Sequence, residues 1–326
     1  MGEFDLIRRY FQRPVRRAAL GVGDDCALLA PEPGMQLAIS SDMLVENRHF
    51  FADVHPLLLG HKALAVNLSD LAASGAKPLA FTLALSLPHA DEAWISEFAQ
   101  GMFALADAHD CELIGGDTTG GPLNICITVF GEVPAGKALL RSGARPGDEI
   151  WVSGHLGDAR LALEALLGKI ELPQTLLEQT RKRLEAPTPR VALGLALRGV
   201  ASSALDVSDG LLGDLTHILE LSQVGATVDS RLAQPLMAAS AYPADSTWTL
   251  STELLQQCTL AGGDDYELCF TAPAARHAEV LAAAAASATP VTCIGHIESE
   301  PGLRVLGADG MPQPMHWKSF DHFGNV

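Results

Sequence analysis

Aspartates that stand beside glycine or serine recur along the chain, and their type and spacing could support chemistry. A single aspartate in this setting is more often a turn residue or a helix N-cap. Several such sites, drawn from both halves of the chain, would bring negative charges together, and like charges coexist only when cations neutralise them. The segments are Gly23-Asp24-Asp25, Ser40-Ser41-Asp42, Asn67-Leu68-Ser69-Asp70, Gly115-Gly116-Asp117-Thr118, Asp206-Val207-Ser208-Asp209-Gly210 and Gly262-Gly263-Asp264-Asp265.

The ligand chemistry of these segments indicates Mg²⁺. Carboxylates and hydroxyls without accompanying His or Cys are hard oxygen ligands, which suit Mg²⁺ better than zinc. The small neighbouring residues would let a polyphosphate approach the backbone closely. A structural Ca²⁺ site is the alternative, but these acids spread over about 240 residues instead of one short loop.

Apolar periodicity predicts a chain in which strands and helices alternate, so the aspartates should follow strand ends or lie on a helix stripe. In the helix predicted over 57–74, Asn67, Asp70 and Ser74 share a polar stripe, and Leu64, Leu68 and Leu71 form the apolar side. The predicted strands are 36–40, 81–87, 112–114, 124–133, 149–153, 204–206, 226–229, 267–271 and 292–297. The predicted helices are 3–11, 57–74, 91–109, 157–167, 174–184, 190–199, 211–222 and 273–287.

Turn-forming residues between Pro134 and Asp148 predict a linker. We place the domain boundary near residue 140, which gives an N-terminal domain over 1–140 and a C-terminal α/β domain over 141–326. The length of 326 residues is ample for two hydrophobic cores.

Charge and motif content exclude several function classes. With 39 acidic and 22 basic residues the formal charge is −17, so nucleic acid and anionic membrane would repel the chain. The six cysteines form no CxxC pair, and the N-terminus has no secretory signal, which together predict free thiols in a soluble, cytoplasmic protein. The Walker phosphate loop is absent, and Gly21-Val-Gly23 lacks the third glycine of a dinucleotide fingerprint.

These motifs, in this order, resemble the thiamine-monophosphate kinase family, whose superfamily includes aminoimidazole-ribonucleotide synthetase and selenophosphate synthetase. The resemblance runs nearly end to end. It covers the segments Gly2–Ile7, Gly21–Leu28, Asp42–Val45, His49-Phe50, Lys62–Ala73, Leu113–Thr119, Arg141–Ala144, Asp206–Leu211, Gly262–Leu268 and Trp317–Phe323.

The resemblance implies a role for individual residues. Ser41 stands where the family more often has Thr, Asp264 where it has Glu, and Phe320 where it has Tyr. The implied Mg²⁺ ligands are Asp25, Ser41, Asp42, Asp70, Asp117, Asp206 and Asp209, of which Asp70, Asp117 and Asp209 would be catalytic. The implied ATP contacts are Gly116, Asp117, Arg141 and Ser208, and the implied substrate contacts are His49, Asp264 and Phe320.

The implied reaction is phosphorylation of thiamine monophosphate by ATP to give thiamine diphosphate, by direct in-line transfer with several Mg²⁺ ions. The acceptor phosphate has a second pKa near ~6, so it is largely anionic at pH 7 and needs no general base. The implied fold is the two-domain α/β (α+β) type. Its N-terminal domain binds ATP and Mg²⁺ and pairs its sheet in a homodimer, as a dimer sheet or barrel, and its C-terminal domain closes the cleft.

Two other functions stay open at this stage. The chain could be another ATP-dependent synthetase of the superfamily, acting on a different phosphorylated acceptor. Against selenophosphate synthetase, Cys26 belongs to an apolar Cys-Ala-Leu-Leu segment; against the purine synthetase stand His49-Phe50 and the tail 317–323. The chain could also be a non-catalytic regulator that binds Mg²⁺ and nucleotide, which nucleotide turnover would distinguish from both enzymes.

Overall fold

The computed structural model describes residues 2–242 and 248–314, without the side chains of Glu3 and Ser240. The chain divides into two compact units. The first unit comprises Met1–Leu71 and Ala76–Ala138, and the second comprises Ala72–Gly75 and Leu139–Val326. The short segment Ala72–Gly75 was not expected to separate from the residues on either side of it.

The first unit is built on a four-stranded sheet with two long helices. Strands β1 and β4 pair antiparallel, β4 and β2 pair antiparallel, and β2 and β3 pair parallel, in the order β1-β4-β2-β3. Its elements are α1 (Glu3–Leu6), a π-helical turn (Ile7–Phe11), β1 (Met35–Val45), α2 (Pro56–Ala73), β2 (Lys77–Leu87), α3 (Glu92–Ala108), β3 (Glu112–Gly120) and β4 (Asn124–Pro134).

The core of this unit follows the helical and strand periodicities. Leu64, Leu68 and Leu71 of α2 are buried, as their spacing predicts, together with apolar side chains of β2 and α3. The two helices touch at backbone level. A Cβ at Gly60 would lie 2.0 Å from the carbonyl oxygen of Phe98, and one at Gly101 would lie 1.8 Å from the carbonyl oxygen of Leu57. Only glycine permits this approach.

The second unit is built on a six-stranded sheet in the order β10-β7-β9-β5-β8-β6, in which only β10 and β7 pair parallel. Its larger core packs α7 and its neighbours against one face of that sheet. Its elements are β5 (Asp148–Ser153), α4 (Asp158–Leu166), α5 (Gln174–Glu185), α6 (Val191–Ala196), β6 (Ser203–Val207), α7 (Leu211–Ser222), β7 (Gly225–Asp229), α8 (Ser230–Ala233), α9 (Thr252–Ala261), β8 (Glu267–Pro273), α10 (His277–Ala286), β9 (Val291–Glu298) and β10 (Gly302–Leu306).

The α/β class with two sheets is confirmed, and every predicted strand is present. Several strands are longer than predicted, and the extra length of β1 and β3 corrects the position of two aspartates. Asp42 lies inside β1 and Asp117 inside β3, whereas the sequence placed both at strand ends. Helices α8 and α9 and strand β10 were not predicted. Ser74 lies beyond the end of α2, so it does not extend the polar stripe.

The cysteines are free thiols, as predicted. Cys111, Cys258 and Cys269 are buried, whereas Cys26 is exposed. Along residues 2–242 and 248–314, we find no helix that combines the length and apolarity needed to cross a membrane.

Candidate functional site

A polar cluster joins β1 to α2 in the first unit. The Oδ1 atom of Asn67 accepts the backbone N–H of Asp42 at 3.0 Å, while its Nδ2 donates to the carbonyl of Ala63 at 3.0 Å. One helical turn later, Oδ2 of Asp70 accepts the hydroxyl of Ser40 at 2.5 Å. The stripe predicted on α2 therefore faces β1, with Asn67 on the backbone of Asp42 and Asp70 on the side chain of Ser40. Asn67 and Ser40 were not assigned this bridging role from the sequence.

Ser41 and Asp117 lie on the other face of the same sheet. Leu44 is buried on the α2 side, and because side chains alternate along a strand, Asp42 shares that side and Ser41 does not. Ser41 instead contacts Thr128 of β4, with 2.9 Å between their hydroxyl oxygens. The register pairs Asp117 with Ala84 of β2, and this row of paired residues continues through β4 to the exposed Met43 of β1. Residues of one such row lie on the same face of the sheet, so Asp117 shares the face of Met43. The predicted ligands of this unit are thus divided between two faces.

Asp25 lies in an exposed loop that begins and ends at a bridge between Leu20 and Leu28. Its backbone N–H donates to Oδ1 of Asp24 at 2.8 Å, so the tandem aspartates form a local turn. Among the described residues, no three His, Cys, Asp or Glu side chains lie close enough together to hold a metal ion. The ligand set therefore stays a prediction, and the structure places Asp25, Asp42 and Asp117 in three separate settings.

Gly116 is required by the backbone of β3, independently of any ligand. Its φ is 148°, and an added Cβ would lie 1.9 Å from the carbonyl oxygen of Leu83 on the neighbouring strand. A side chain at this position would have to break the pairing of β2 with β3. The adjacent Asp117 is consequently held at a fixed point of the strand, with its side chain exposed.

His49 lies in the turn that follows β1, and its hydrogen bonds determine its tautomer. The backbone N–H of Val45 donates to Nδ1 of His49 at 3.0 Å, so Nδ1 carries no proton in this arrangement. The neutral ring therefore has its proton on Nε2. The ammonium group of Lys62 donates to the carbonyl of His49 at 3.4 Å and helps to fix this turn on α2. Nε2 of this half-buried imidazole can therefore donate a hydrogen bond to an anionic oxygen.

In the second unit, the loop after β6 and the loop before β8 lie against each other. The N–H of Asp264 donates to the carbonyl of Ser208 at 2.8 Å, and the N–H of Tyr266 donates to that of Val207 at 2.8 Å. A Cβ at Gly263 would lie 2.4 Å from the oxygen of Ser208. The structure therefore brings together the Asp206–Gly210 and Gly262–Asp265 motifs, which are distant in sequence. Arg141, the predicted phosphate contact, is exposed.

Asp214 is a central residue of this region that the sequence did not single out. Its Oδ2 accepts the backbone N–H groups of Ser208, Asp209 and Gly210 at 3.1, 3.1 and 3.0 Å. Burial raises the pKa of Asp214 to about 7, and the negative charge of Asp209 is the second cause. The only sequence signal was an acidic residue in the first turn of α7, which is common at helix starts.

A buried ionic network lies behind the Gly262–Asp265 loop. Glu267 is fully buried, and it accepts the hydroxyl of Ser153 at 2.6 Å, Nη2 of Arg183 at 2.9 Å, and Nε and Nη2 of Arg190 at 2.6 and 2.5 Å. Asp265 accepts the N–H of Gly157 with both oxygens, and burial raises its pKa well above the ordinary value. The sequence did not reveal this network.

Two residues shortly before β8 have a strained backbone. Asp264 has a φ of 64° and Tyr266 a φ of 53°, a left-handed conformation that costs side-chain-bearing residues free energy. The Tyr266 hydroxyl donates to Oδ1 of Asp264 at 3.4 Å, which orients that carboxylate. Strain of this kind is common at binding sites. Phe320, the third predicted substrate contact, lies outside the described residues.

Comparisons with known proteins identify both halves of the chain. Residues 23–133 match the model for "AIR synthase related protein, N-terminal domain", and residues 145–307 match that for the C-terminal domain. Thiamine-monophosphate kinase of Salmonella typhimurium is 46% identical over 328 residues, covering 99% of this chain and 98% of the relative.

Solved structures give the same result. The crystal structure of thiamine-monophosphate kinase from Stenotrophomonas maltophilia is 46% identical, with a TM-score of 0.83 over 94% of this chain and 95% of that one. A structure described as AaThiL complexed with AMPPCP and TMP is 28% identical, with a TM-score of 0.74 over 98% of this chain and 96% of that one.

Proposed function

We infer the activity of this chain from its family, because the chain belongs to the thiamine-monophosphate kinases within the AIR synthase related proteins. It catalyses transfer of the γ-phosphoryl group of ATP to thiamine monophosphate, giving thiamine diphosphate and ADP. The observation that carries this conclusion is 46% identity to a thiamine-monophosphate kinase over nearly the whole of both chains. AMPPCP, in the AaThiL complex, is an analogue of ATP.

Residues of each unit, taken separately, support this chemistry. Phosphoryl transfer depends mainly on positioning and on neutralising charge, and an ionised acceptor phosphate needs no base. We propose that His49 donates a hydrogen bond from Nε2 to the acceptor phosphate, because Nδ1 is already occupied by the N–H of Val45. The carboxylate of Asp264, oriented by Tyr266, would face the cationic thiazolium of the substrate. Phe320 would stack on the same ring.

The residues fit Mg²⁺ as the cation of this reaction. The donor set consists of carboxylate and hydroxyl oxygens, and Asn67 holds the backbone of Asp42 while Ser40 holds the carboxylate of Asp70. When bound, Mg²⁺ would neutralise charge on the phosphate oxygens. The residues that we propose to hold it are Asp25, Ser41, Asp42, Asp70, Asp117, Asp206 and Asp209. Because the pleat of β1 separates Ser41 from Asp42, these two residues would serve different ions.

The nucleotide contacts follow the same division. We propose that Asp117 and Gly116 of β3 and Ser208 of the β6–α7 loop lie beside the ATP phosphates, with Arg141 as a guanidinium donor. Arg141 is exposed, so its planar N–H groups are accessible to a phosphate. Among these residues, Asp70, Asp117 and Asp209 are proposed as catalytic through the metal ions that they hold.

We further propose that the chain forms a homodimer through the outer face of the four-stranded sheet. Leu37, Ile39 and Met43 of the edge strand β1 are 38%, 59% and 53% exposed, and all three lie on the face of the sheet away from α2. An exposed apolar edge strand of this length is normally covered. Replacing Ile39 by Asp should yield monomers by light scattering. An unchanged dimer would place the interface elsewhere.

We also propose that the protein works in a reducing compartment, the cytoplasm, because its cysteines are free thiols.

The decisive experiment incubates the protein with Mg-ATP and thiamine monophosphate and separates the products by anion exchange. Asp70→Asn is the test variant, and Asp107→Asn is its matched control, because the side chain of Asp107 is exposed and pairs with Arg13. No thiamine diphosphate under any metal condition would overturn the assignment. ADP formation with another phosphorylated acceptor would favour a different synthetase, and binding without turnover would favour a regulator.

A further inference from the structure

A buried carboxylate ties the N-terminal segment of the first unit to the first residue of β3. Glu112 is only 8% exposed, and both of its oxygens accept the backbone N–H of Arg16, at 2.9 and 3.1 Å. Its Oε2 also accepts the backbone N–H of Arg17 at 3.1 Å, and its Oε1 accepts Nε of Arg16 at 3.2 Å. Hydrogen bonds to a carboxylate are stronger than those between neutral groups, so this contact fixes the main chain at two successive residues.

The same segment packs on the sheet directly after this contact. Arg16 and Arg17 belong to no helix or strand, so Glu112 supplies the acceptors that a regular element would otherwise provide for their N–H groups. The next residue, Ala18, is buried in a small apolar cluster with Leu79, Ala80 and Ile114. The chain is therefore held against β2 and β3 up to residue 18.

The segment held in this way leads into the loop that carries Asp25. The backbone N–H of Ala19 donates to the carbonyl of Leu28 at 2.8 Å, and the N–H of Leu28 donates to the carbonyl of Leu20 at 3.0 Å. These two bonds close the base of the loop, which begins two residues after Arg17. Asp25 itself is exposed, so the position of its loop on the sheet depends on how this base is held.

The strand to which the segment is tied also carries Asp117, five residues beyond Glu112. At about 3.3 Å per residue, the two Cα atoms lie about 16 Å apart on β3. The chain advances eight residues from Arg17 to Asp25, and an extended chain of that length reaches about 26–29 Å. Asp25 could therefore occupy a wide range of positions around β3 if the segment before its loop were not fixed.

We propose that Glu112 is a positioning residue for the Mg²⁺ ligands of the first unit. It holds the Asp25 loop to the strand of Asp117, so that less chain has to be ordered when the metal binds. Residues that orient metal ligands from behind are commonly worth 10–100-fold in metal affinity. This inference rests on the proposed kinase function and adds to it a residue that is not itself one of the proposed ligands.

The first measurement is hydrogen–deuterium exchange of the metal-free protein, which needs neither ATP nor turnover. Glu112→Gln keeps the size of the side chain but replaces one acceptor oxygen by an NH₂ group. We expect the amides of Arg16, Arg17, Ala19 and Leu28 to exchange about tenfold faster or more, the effect of losing a charge-assisted hydrogen bond. Exchange in α3 and β4 should change little, and an equal rise throughout the first unit would overturn the inference.

The second measurement is the Mg²⁺ dependence of thiamine diphosphate formation at saturating substrates. In Glu112→Gln, the Mg²⁺ concentration that gives half the maximal rate should rise about tenfold or more, whereas kcat at saturating Mg²⁺ should change little. A residue that only stabilises the fold would lower the urea midpoint without moving the Mg²⁺ requirement. That result would overturn the inference.

Asp110→Asn is the matched control. Asp110 contacts the same two arginines through their guanidinium groups, with its Oδ1 2.6 Å from Nη2 of Arg16, and its side chain is 49% exposed. Its φ of 51° is a conformation that asparagine also adopts. Neither the exchange rates nor the Mg²⁺ requirement should change in this variant. Equal effects in Asp110→Asn and Glu112→Gln would assign the role to surface charge and overturn the inference.

The wild type provides a test that does not depend on a folded variant. The amides of Arg16 and Arg17 should exchange slowly without metal, although both residues lie outside helices and strands. Rapid exchange at these two amides in an active wild type would overturn this inference alone. A wild type that forms no thiamine diphosphate would instead overturn the proposed function.

Discussion

Replacing Glu267 by Gln should test how the buried network of the second unit supports the Gly262–Asp265 loop. The substitution preserves the side-chain volume and removes one negative charge. It leaves the guanidinium groups of Arg183 and Arg190, now 2.5 to 2.9 Å from that carboxylate, without their counter-ion. It also places an amide NH₂ group where one oxygen now accepts the Ser153 hydroxyl.

The expected loss of stability follows from burial. Removing one partner of a buried ion pair costs about 3–5 kcal/mol, because the remaining charge is uncompensated. The side chains of Arg183 and Arg190 are 23% and 16% exposed, so water can solvate part of their charge. We therefore expect about 2–4 kcal/mol.

The assay is urea denaturation followed by tryptophan fluorescence in a Trp94→Phe background, since three of the four tryptophans then remain, among them Trp151 and Trp248 of the second unit. Glu92→Gln is the matched control. Glu92 makes one ion pair with Arg9 at 2.9 Å, and the two side chains are 52% and 63% exposed. That pair should contribute less than about 1 kcal/mol.

A loss below about 1 kcal/mol in Glu267→Gln would refute the reasoning, because it would equate the buried pair with an exposed one. The double variant with Arg190→Met separates charge from packing. If unpaired charge causes the loss, removing one cation should restore about 1 kcal/mol or more. No recovery would mean that the loss comes from the missing oxygen acceptor, for example that of the Ser153 hydroxyl, and not from unpaired charge.

Other expectations can be checked with the same preparations. Burial raises the pKa of Asp158, so the folded state holds its proton more tightly and this group's stabilisation is lost as the pH rises through the raised pKa. Asp158→Asn should therefore show a smaller fall in stability than the wild type as the pH rises from the ordinary carboxyl pKa of 3.8 towards neutrality, and an equal fall would exclude this group as the cause. In the native protein a thiol reagent should modify the exposed Cys26 before the buried Cys111, Cys258 and Cys269, because burial raises the pKa of each of those three thiols. Mass spectrometry of peptides measures the order of modification, and earlier labelling of a buried thiol would contradict this expectation. Asp70→Asn should lower kcat/KM by at least about tenfold at saturating Mg²⁺ and leave the urea midpoint nearly unchanged, whereas a parallel loss of folding would make Asp70 structural. Initial rates at several fixed concentrations of thiamine monophosphate should give intersecting lines, and parallel lines with labelled protein would indicate a phosphoenzyme.

Local sequence patterns predicted the elements that bury a continuous apolar face. The leucines of α2 and the apolar run of β2 belong to this class. The pattern failed where polar residues point inward. Ser40 and Asp42 interrupt the alternation of β1, and the residues that satisfy them, Asp70 and Asn67, belong to a helix further along the chain. The short strand β10 was missed because Arg304 at its centre breaks any apolar run.

The candidate site was predictable only to the extent that motifs carried it. The motif residues could be numbered from the sequence, but their distribution over the two faces of a sheet depends on register, which pairs Asp117 with Ala84. Asp214 and Glu267 escaped notice for a different reason. Their importance lies in backbone amides and in side chains distant in sequence, such as Ser153, which become neighbours only on folding.

The contact of α2 with α3 at Gly60 and Gly101 has a consequence for genetics. Asp70 and Asn67 contact β1 from the same helix that Gly60 sets against α3, and even an alanine at either glycine would have to displace that helix. In an unbiased screen for loss of thiamine prototrophy, these two uncharged positions should therefore be hit as often as the aspartates themselves. Second-site revertants of Gly60→Ala should map to the facing turn of α3, around Phe98, where a smaller residue or a local shift would make room for the added methyl group.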